Sequence, residues 1–183
     1  MANNRNFAWS RGILPAALLA IAPLLDACSG GSPDGDPDST AKAPEGASTL
    51  AACDLLTAGE AEAVLGGTVG EAKAGAPVSS GTVRLTDCTW NDSASGRSVT
   101  IILRRSQTAD RTPEVIAEIR AELATGGPVE DVDQLAESAF WGSNQLHIFL
   151  NGRDYLTISF VGFEGGDSRA AAYQVAESAI SRL

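Results

Sequence analysis

Histidine is almost missing from this sequence. His147 is the only one among 183 residues, and it is accompanied by three cysteines and one methionine. A lone imidazole leaves no Ser-His-Asp arrangement in view, because no G-x-S-x-G turn offers it a serine nucleophile. The spacing G-x-x-x-x-G-K-[ST] is also missing, so Lys73 does not read as a phosphate-loop lysine. Cations are scarce: 13 Lys and Arg face 23 Asp and Glu, for a formal net charge of −10 and a pI near 4.4. Such a surface opposes nucleic-acid binding, where cations supply most of the affinity by neutralising phosphates. It equally opposes an electrostatic hold on anionic lipid headgroups. The apolar run at residues 13–25 is shorter than the roughly 20 residues a membrane-crossing helix takes. Pro15 and Pro23 interrupt it as well.

What that run offers instead is an export signal. Arg5 and Arg11 precede it without any acid, giving a cationic segment followed by an apolar one. It ends in Leu25-Asp26-Ala27-Cys28 and then Ser29-Gly30-Gly31. This resembles the lipobox of bacterial lipoproteins, with Leu three before the cysteine and a small residue just before it, although Asp26 stands where a small or apolar residue is usual. The resemblance implies that residues 1–27 are a signal peptide and that Cys28 carries lipid. The chain would then sit on the outer face of a cell membrane, held by acyl chains whose buried CH₂ groups contribute about 0.8 kcal/mol each. Plain cleavage of a secreted protein is the simpler alternative. Losing Arg5, Arg11 and Asp26 leaves 11 basic residues (13 less two) and 22 acidic ones (23 less one), so the surface stays acidic.

With Cys28 lipidated, Cys53 and Cys88 remain as an even pair in an oxidising compartment, where disulfides form. Two free buried thiols are the alternative. One histidine and two paired cysteines cannot make a zinc site, and neither a metal nor another cofactor is expected.

Residues 28–48 read as the lipidated cysteine and a flexible linker. From Ser29 to Ser48 there is no aromatic and no branched aliphatic residue, so nothing can offset the entropy of ordering the chain. Asp34, Asp36, Asp38, Thr40 and Glu45 fall at positions 1, 3, 5, 7 and 12 of a calcium-loop pattern. Ser39 replaces the glycine that makes the turn, and Pro37 intrudes, so calcium is not expected there.

Residues 49–183 are of a size for one globular domain. Thr57 and Glu60 form a capping box for a helix over 58–65, closed by Gly66-Gly67. A Gly-, Ala- and Ser-rich loop runs to about Gly81. Strands follow over 83–90 and 98–105, and Val99, Ile101 and Leu103 share one face of the second. Thr112 and Pro113 start a helix with Ile116, Ile119 and Leu123 as its buried stripe. Asn151-Gly152 between apolar runs at 145–150 and 153–161 marks a second hairpin. An even-length turn there puts His147, Phe149, Leu156, Ile158 and Phe160 on one face, with Leu146, Ile148, Leu150, Tyr155 and Thr157 on the other. A last helix begins near Arg169, capped by Asp167 or Ser168, with Ala172, Ala176, Ala179 and Leu183 along one side. The expected fold is α+β in the order α-β-β-α-β-β-α, an antiparallel sheet of about four to five strands with helices packed on it.

Cys53-Asp54-Leu55-Leu56-Thr57, then Glu60-Ala61, Leu65-Gly66 and Cys88-Thr89-Trp90, resemble the uncharacterised domain of short actinobacterial-type envelope lipoproteins. Those begin with C-x-L-L-[TS] and carry a later C-x-W and a stretch like G-L-G-D-x-A-[FY]. Here that stretch is Gln134 to Trp141, with Gln134 and Ala136 in place of the glycines. The resemblance implies an extracytoplasmic lipoprotein with a disulfide, and it brings no activity and no catalytic residues.

The expected function is therefore noncatalytic: a membrane-tethered domain that binds an envelope protein, a cell-wall component or a small ligand. Trp90 and Trp141 could stack on a ligand but read first as packing residues. Arg104 and Arg105 read as exposed charge at a strand end. The alternative is a hydrolase of wall glycans, because Glu130, Asp131, Asp133 and Glu137 crowd one loop and a carboxylate pair can cleave a glycosidic bond.

Overall fold

In the computed structural model, residues 49–164 and 167–183 are described. Cys28 and the calcium-loop-like residues 34–45 lie outside them. The first element is a single 3₁₀ turn, Ala52–Leu55, followed by helix α1, Ala58–Leu65. The T-x-x-E spacing does what it predicts: the Glu60 N–H donates to Thr57 Oγ1 at 3.3 Å and the Thr57 N–H donates to Glu60 Oε2 at 2.8 Å. Gly66 ends the helix at φ 79°, a left-handed conformation that costs glycine little, and its N–H reaches the Glu62 carbonyl. Arg182 closes the far end of the chain onto this region. Its Nη2 donates to both Glu60 oxygens at 2.8 and 2.9 Å, and its Nη1 donates to the Leu55 carbonyl at 3.1 Å.

The sheet has eight strands, more than the four to five expected. They are β1 (Lys73–Ala74), β2 (Val78–Ser80), β3 (Val83–Asp92), β4 (Arg97–Ser106), β5 (Glu130–Asp131), β6 (Ser138–Gly142), β7 (Gln145–Leu150) and β8 (Asp154–Val161). Every pairing is antiparallel, in the order β1-β3-β4-β8-β7-β6-β5, with β2 also on the outer edge of β3. The two hairpins read from sequence are the centre of this sheet. The additions are short edge pieces, plus β6 beside β7.

One register differs from expectation. Leu150 pairs with Asp154 and Phe149 with Tyr155, so three residues, Asn151, Gly152 and Arg153, make the turn. An odd turn reverses the parity of β8 relative to β7, because side chains alternate with period two. Leu146, Ile148, Leu156, Ile158 and Phe160 therefore share a face, and His147 and Phe149 lie with Tyr155 and Thr157 on the other.

The first face carries the main core. Trp90, Val99, Ile101, Leu103, Leu146, Ile148, Leu156, Ile158 and Phe160 are buried together with Leu55, Leu56, Ala61 and Leu65 from the N-terminal turns. Helix α3 (Asp167–Ile180) packs here through Ser168, Ala171, Ala172, Val175, Ala176 and Ala179. Small side chains let its backbone approach the sheet closely. Asp167 and Ser168, expected as caps, are residues of the helix itself. Leu183 stays half-buried.

Cys53 and Cys88 are joined in a disulfide with Cα atoms 5.0 Å apart, linking the 3₁₀ turn to β3. The Ala52 N–H donates to Thr86 Oγ1 at 3.0 Å beside it. Among the described residues, helix α2 (Pro113–Ala124) is the one helix on the opposite face of the sheet, where it meets β6. Thr112 caps it as expected, its Oγ1 accepting from the Val115 N–H at 3.5 Å. The expected buried stripe is not fully buried: Ile116, Ile119 and Leu123 are each half-buried, because among the described strands α2 meets only β6 closely.

Candidate functional site

On the face that α2 occupies, a second cluster of buried and half-buried side chains lies outside the main core. Strand alternation and the odd turn bring Phe140 of β6, His147 and Phe149 of β7, and Tyr155 of β8 to one patch. Their rings pack as a continuous set. Phe149 stacks on Tyr155 with centroids 4.5 Å apart, and Phe140 lies 5.3 Å from His147 and 5.6 Å from Phe149. Gly142 lets the cover come down, since a Cβ there would stand 3.2 Å from Val129 Cγ2 and 3.8 Å from Leu123 Cβ. Two guanidinium groups flank the patch, Arg120 over Phe140 at 5.6 Å and Arg111 over Tyr155 at 5.7 Å.

His147 is only 3 % exposed. Its Nδ1 shares a hydrogen bond of 2.6 Å with the Tyr155 hydroxyl, and its Nε2 is buried without any hydrogen-bond partner. Burial pushes the ring's pKa below its ordinary value, because the cation would lose its hydration. The Gly142 carbonyl acts in the opposite sense, yet it does not meet the geometry of a hydrogen bond. Burial likewise raises the Tyr155 hydroxyl above its usual value.

The acidic loop is placed differently from a cleft of catalytic carboxylates. Asp131 on β5 is paired with Arg120, and Glu130 accepts from Arg169 Nη1 at 2.9 Å. The bond from Arg120 holds the Asp131 carboxyl below the usual carboxylate range, opposite to what a general acid needs. Asp133 and Glu137 are exposed on the rim of an open concavity of about 210 Å³.

The remaining candidates are structural. Trp90 is buried in the main core, and Trp141 is half-buried with Arg169 over its ring at 5.5 Å. Arg104 and Arg105, expected as exposed charge, are half-buried and ion-paired. Arg104 Nη1 donates to Asp110 at 3.0 Å and Arg105 Nε to Asp154 at 3.2 Å. Lys73 is exposed on β1. His147 was expected beside Leu156 and instead meets Tyr155, a neighbour that turn parity alone determines. Among the described residues, no group of three His, Cys, Asp or Glu is arranged to hold a metal ion. No helix among them is long and apolar enough to cross a membrane.

Compared with known proteins, the chain matches no family model, no curated protein and no solved structure.

Proposed function

We propose that this chain is an exported lipoprotein, tethered to the outer face of a cell membrane through lipid on Cys28. Its folded domain would act without catalysis, by binding an envelope protein, a cell-wall component or a small ligand. The observation that carries the export half of this reading is the Cys53–Cys88 disulfide. It consumes two of the three cysteines and belongs in an oxidising compartment, leaving Cys28, the residue of the lipobox-like run, as the third. Two placements support the noncatalytic half. His147 is buried on the face of the sheet that α2 occupies, and both β5 carboxylates are occupied by arginines.

The anchor is tested in a lipid-modifying bacterial host. Wild type is expected in the detergent phase of a phase-separating extraction, and Cys28→Ser in the aqueous phase or unprocessed. Equal partition of the two into the aqueous phase would sink the lipoprotein reading. Partners are sought by affinity capture from envelope extract. Hydrolysis of cell-wall glycans by the purified domain, abolished by Asp133→Asn or Glu137→Gln, would overturn the noncatalytic reading.

A further inference from the structure

Helix α2 has the weakest hold of any long element in this domain. None of its side chains is fully buried, it meets only one strand closely, and Gly126-Gly127-Pro128 follow its last turn. Few buried contacts mean a low free energy of local opening. On the face it covers lies the only histidine of the chain, stacked on the Phe140 ring that Arg120 of α2 overlies, with one ring nitrogen bonded to Tyr155 and the other without a hydrogen bond. A second proton would make both nitrogens donors. The Tyr155 oxygen can accept from one of them, and the Gly142 carbonyl near the ring falls short of hydrogen-bond geometry, so a charged N–H would be buried without a full partner.

The surrounding charges do not relieve this. From α2 comes Arg120, from the preceding loop Arg111 and Asp110, from β4 Arg104, and from β5 Asp131. Glu114, Glu118 and Glu122 of α2 are exposed. Asp110 is paired with Arg104 and also attracts Arg111, and Asp131 is paired with Arg120. Among the described residues no carboxylate is bonded to the ring, so a protonated imidazole would have no direct counterion.

We propose that His147 is a proton-operated latch: protonation of its buried ring releases α2 from the sheet and uncovers the patch of Phe140, Phe149 and Tyr155. Undocking lets the imidazolium reach water while the main core on the other face stays intact. The released state presents aromatic surface that the neutral state hides, so any association through that patch is confined to acid conditions.

Linkage gives the signature. The ring prefers its neutral form when docked, so docking is fully favoured above pH 6.5, the ordinary histidine value, and weakens as pH falls below it. The opening constant of α2 rises about tenfold per pH unit below that point and levels off at the docked ring's own pKa. Amide protection factors measured from pH 7.5 to 4.5, corrected for intrinsic exchange, should show this for residues 115–124 while β4 stays protected. Anilinonaphthalene sulfonate fluorescence should rise in step. Because there is one histidine, its imidazole resonances report the ring's titration without assignment ambiguity. His147→Gln should flatten both responses, and His147→Phe, which keeps the ring stack, serves if the Gln variant does not fold. Persistence of the transition in the nontitrating variant overturns the proposal. So does protonation of the ring without change at 115–124, or loss of protection in β4 at the same pH.

Discussion

Replacing Cys53 and Cys88 together by alanine removes a cross-link between residues 35 apart in sequence. The closed loop holds α1, β1 and β2, and the two strands are pieces of two and three residues on the edge of β3. In the chain-entropy model a loop of about 36 residues costs the denatured state about 12.8 cal/mol/K, or about 3.8 kcal/mol at 25 °C. For a domain of this length that loss corresponds to roughly 10–15 °C in Tm. The model also makes a second claim, because the effect lives in the denatured ensemble. Freed of the cross-link, the unfolded chain expands and exposes more surface, so the urea m-value should rise while the midpoint falls. Urea melts of the oxidised wild type and the double variant, at pH 7 and 25 °C, separate the possibilities. A lower midpoint with an unchanged m-value would place the effect in native packing around Cys88, which is fully buried. A stability difference below about 1 kcal/mol would refute the loop-closure argument.

Glu60 offers a pH-dependent counterpart. The forked bond from Arg182, helped by the Thr57 N–H, lowers its pKa from 4.5 to about 2. Its contribution is therefore present above pH 4.5 and lost as pH falls toward 2. Both side chains are about a third exposed, so solvent screening leaves about 1–2 kcal/mol. Glu60→Gln should lower stability by that amount at pH 7 and by much less at pH 2.5 in urea melts. The odd hairpin turn is tested by Phe149→Ala and Leu156→Ala, each expected to cost about 2–5 kcal/mol. Lying on opposite faces, they should add within about 0.5 kcal/mol, and a large coupling energy would restore the even register. Gly152→Ala forces a side chain onto φ 63° with Ala109 Cβ 3.4 Å away, and should cost about 1–2 kcal/mol in thermal melts.

Local chemistry was legible in the sequence wherever a few neighbouring residues decide the outcome. The Thr57 and Glu60 capping box, the left-handed Gly66, the Thr112-Pro113 helix start and the two long hairpins all depend on contacts within a turn or two. The Cys53–Cys88 pair was legible for a different reason, since reading Cys28 as a lipid acceptor leaves those two as the pair to join. Tertiary structure alone decided what depends on a partner strand. Lys73–Ala74, Val78–Ser80 and Glu130–Asp131 are too short to show a period, and they are strands only because β3 or β6 offers them an open edge. Turn parity is of the same kind. Asn151-Gly152 permits either length, and Arg153 joins the turn where its carbonyl accepts from the Ser106 N–H at 3.2 Å and Leu156 and Ile158 face the core beside β4. That one residue moves His147 from an aliphatic neighbourhood to Tyr155 and the aromatic patch. Two segments far apart in sequence must meet before the side of the sheet is chosen, and no local pattern carries that information.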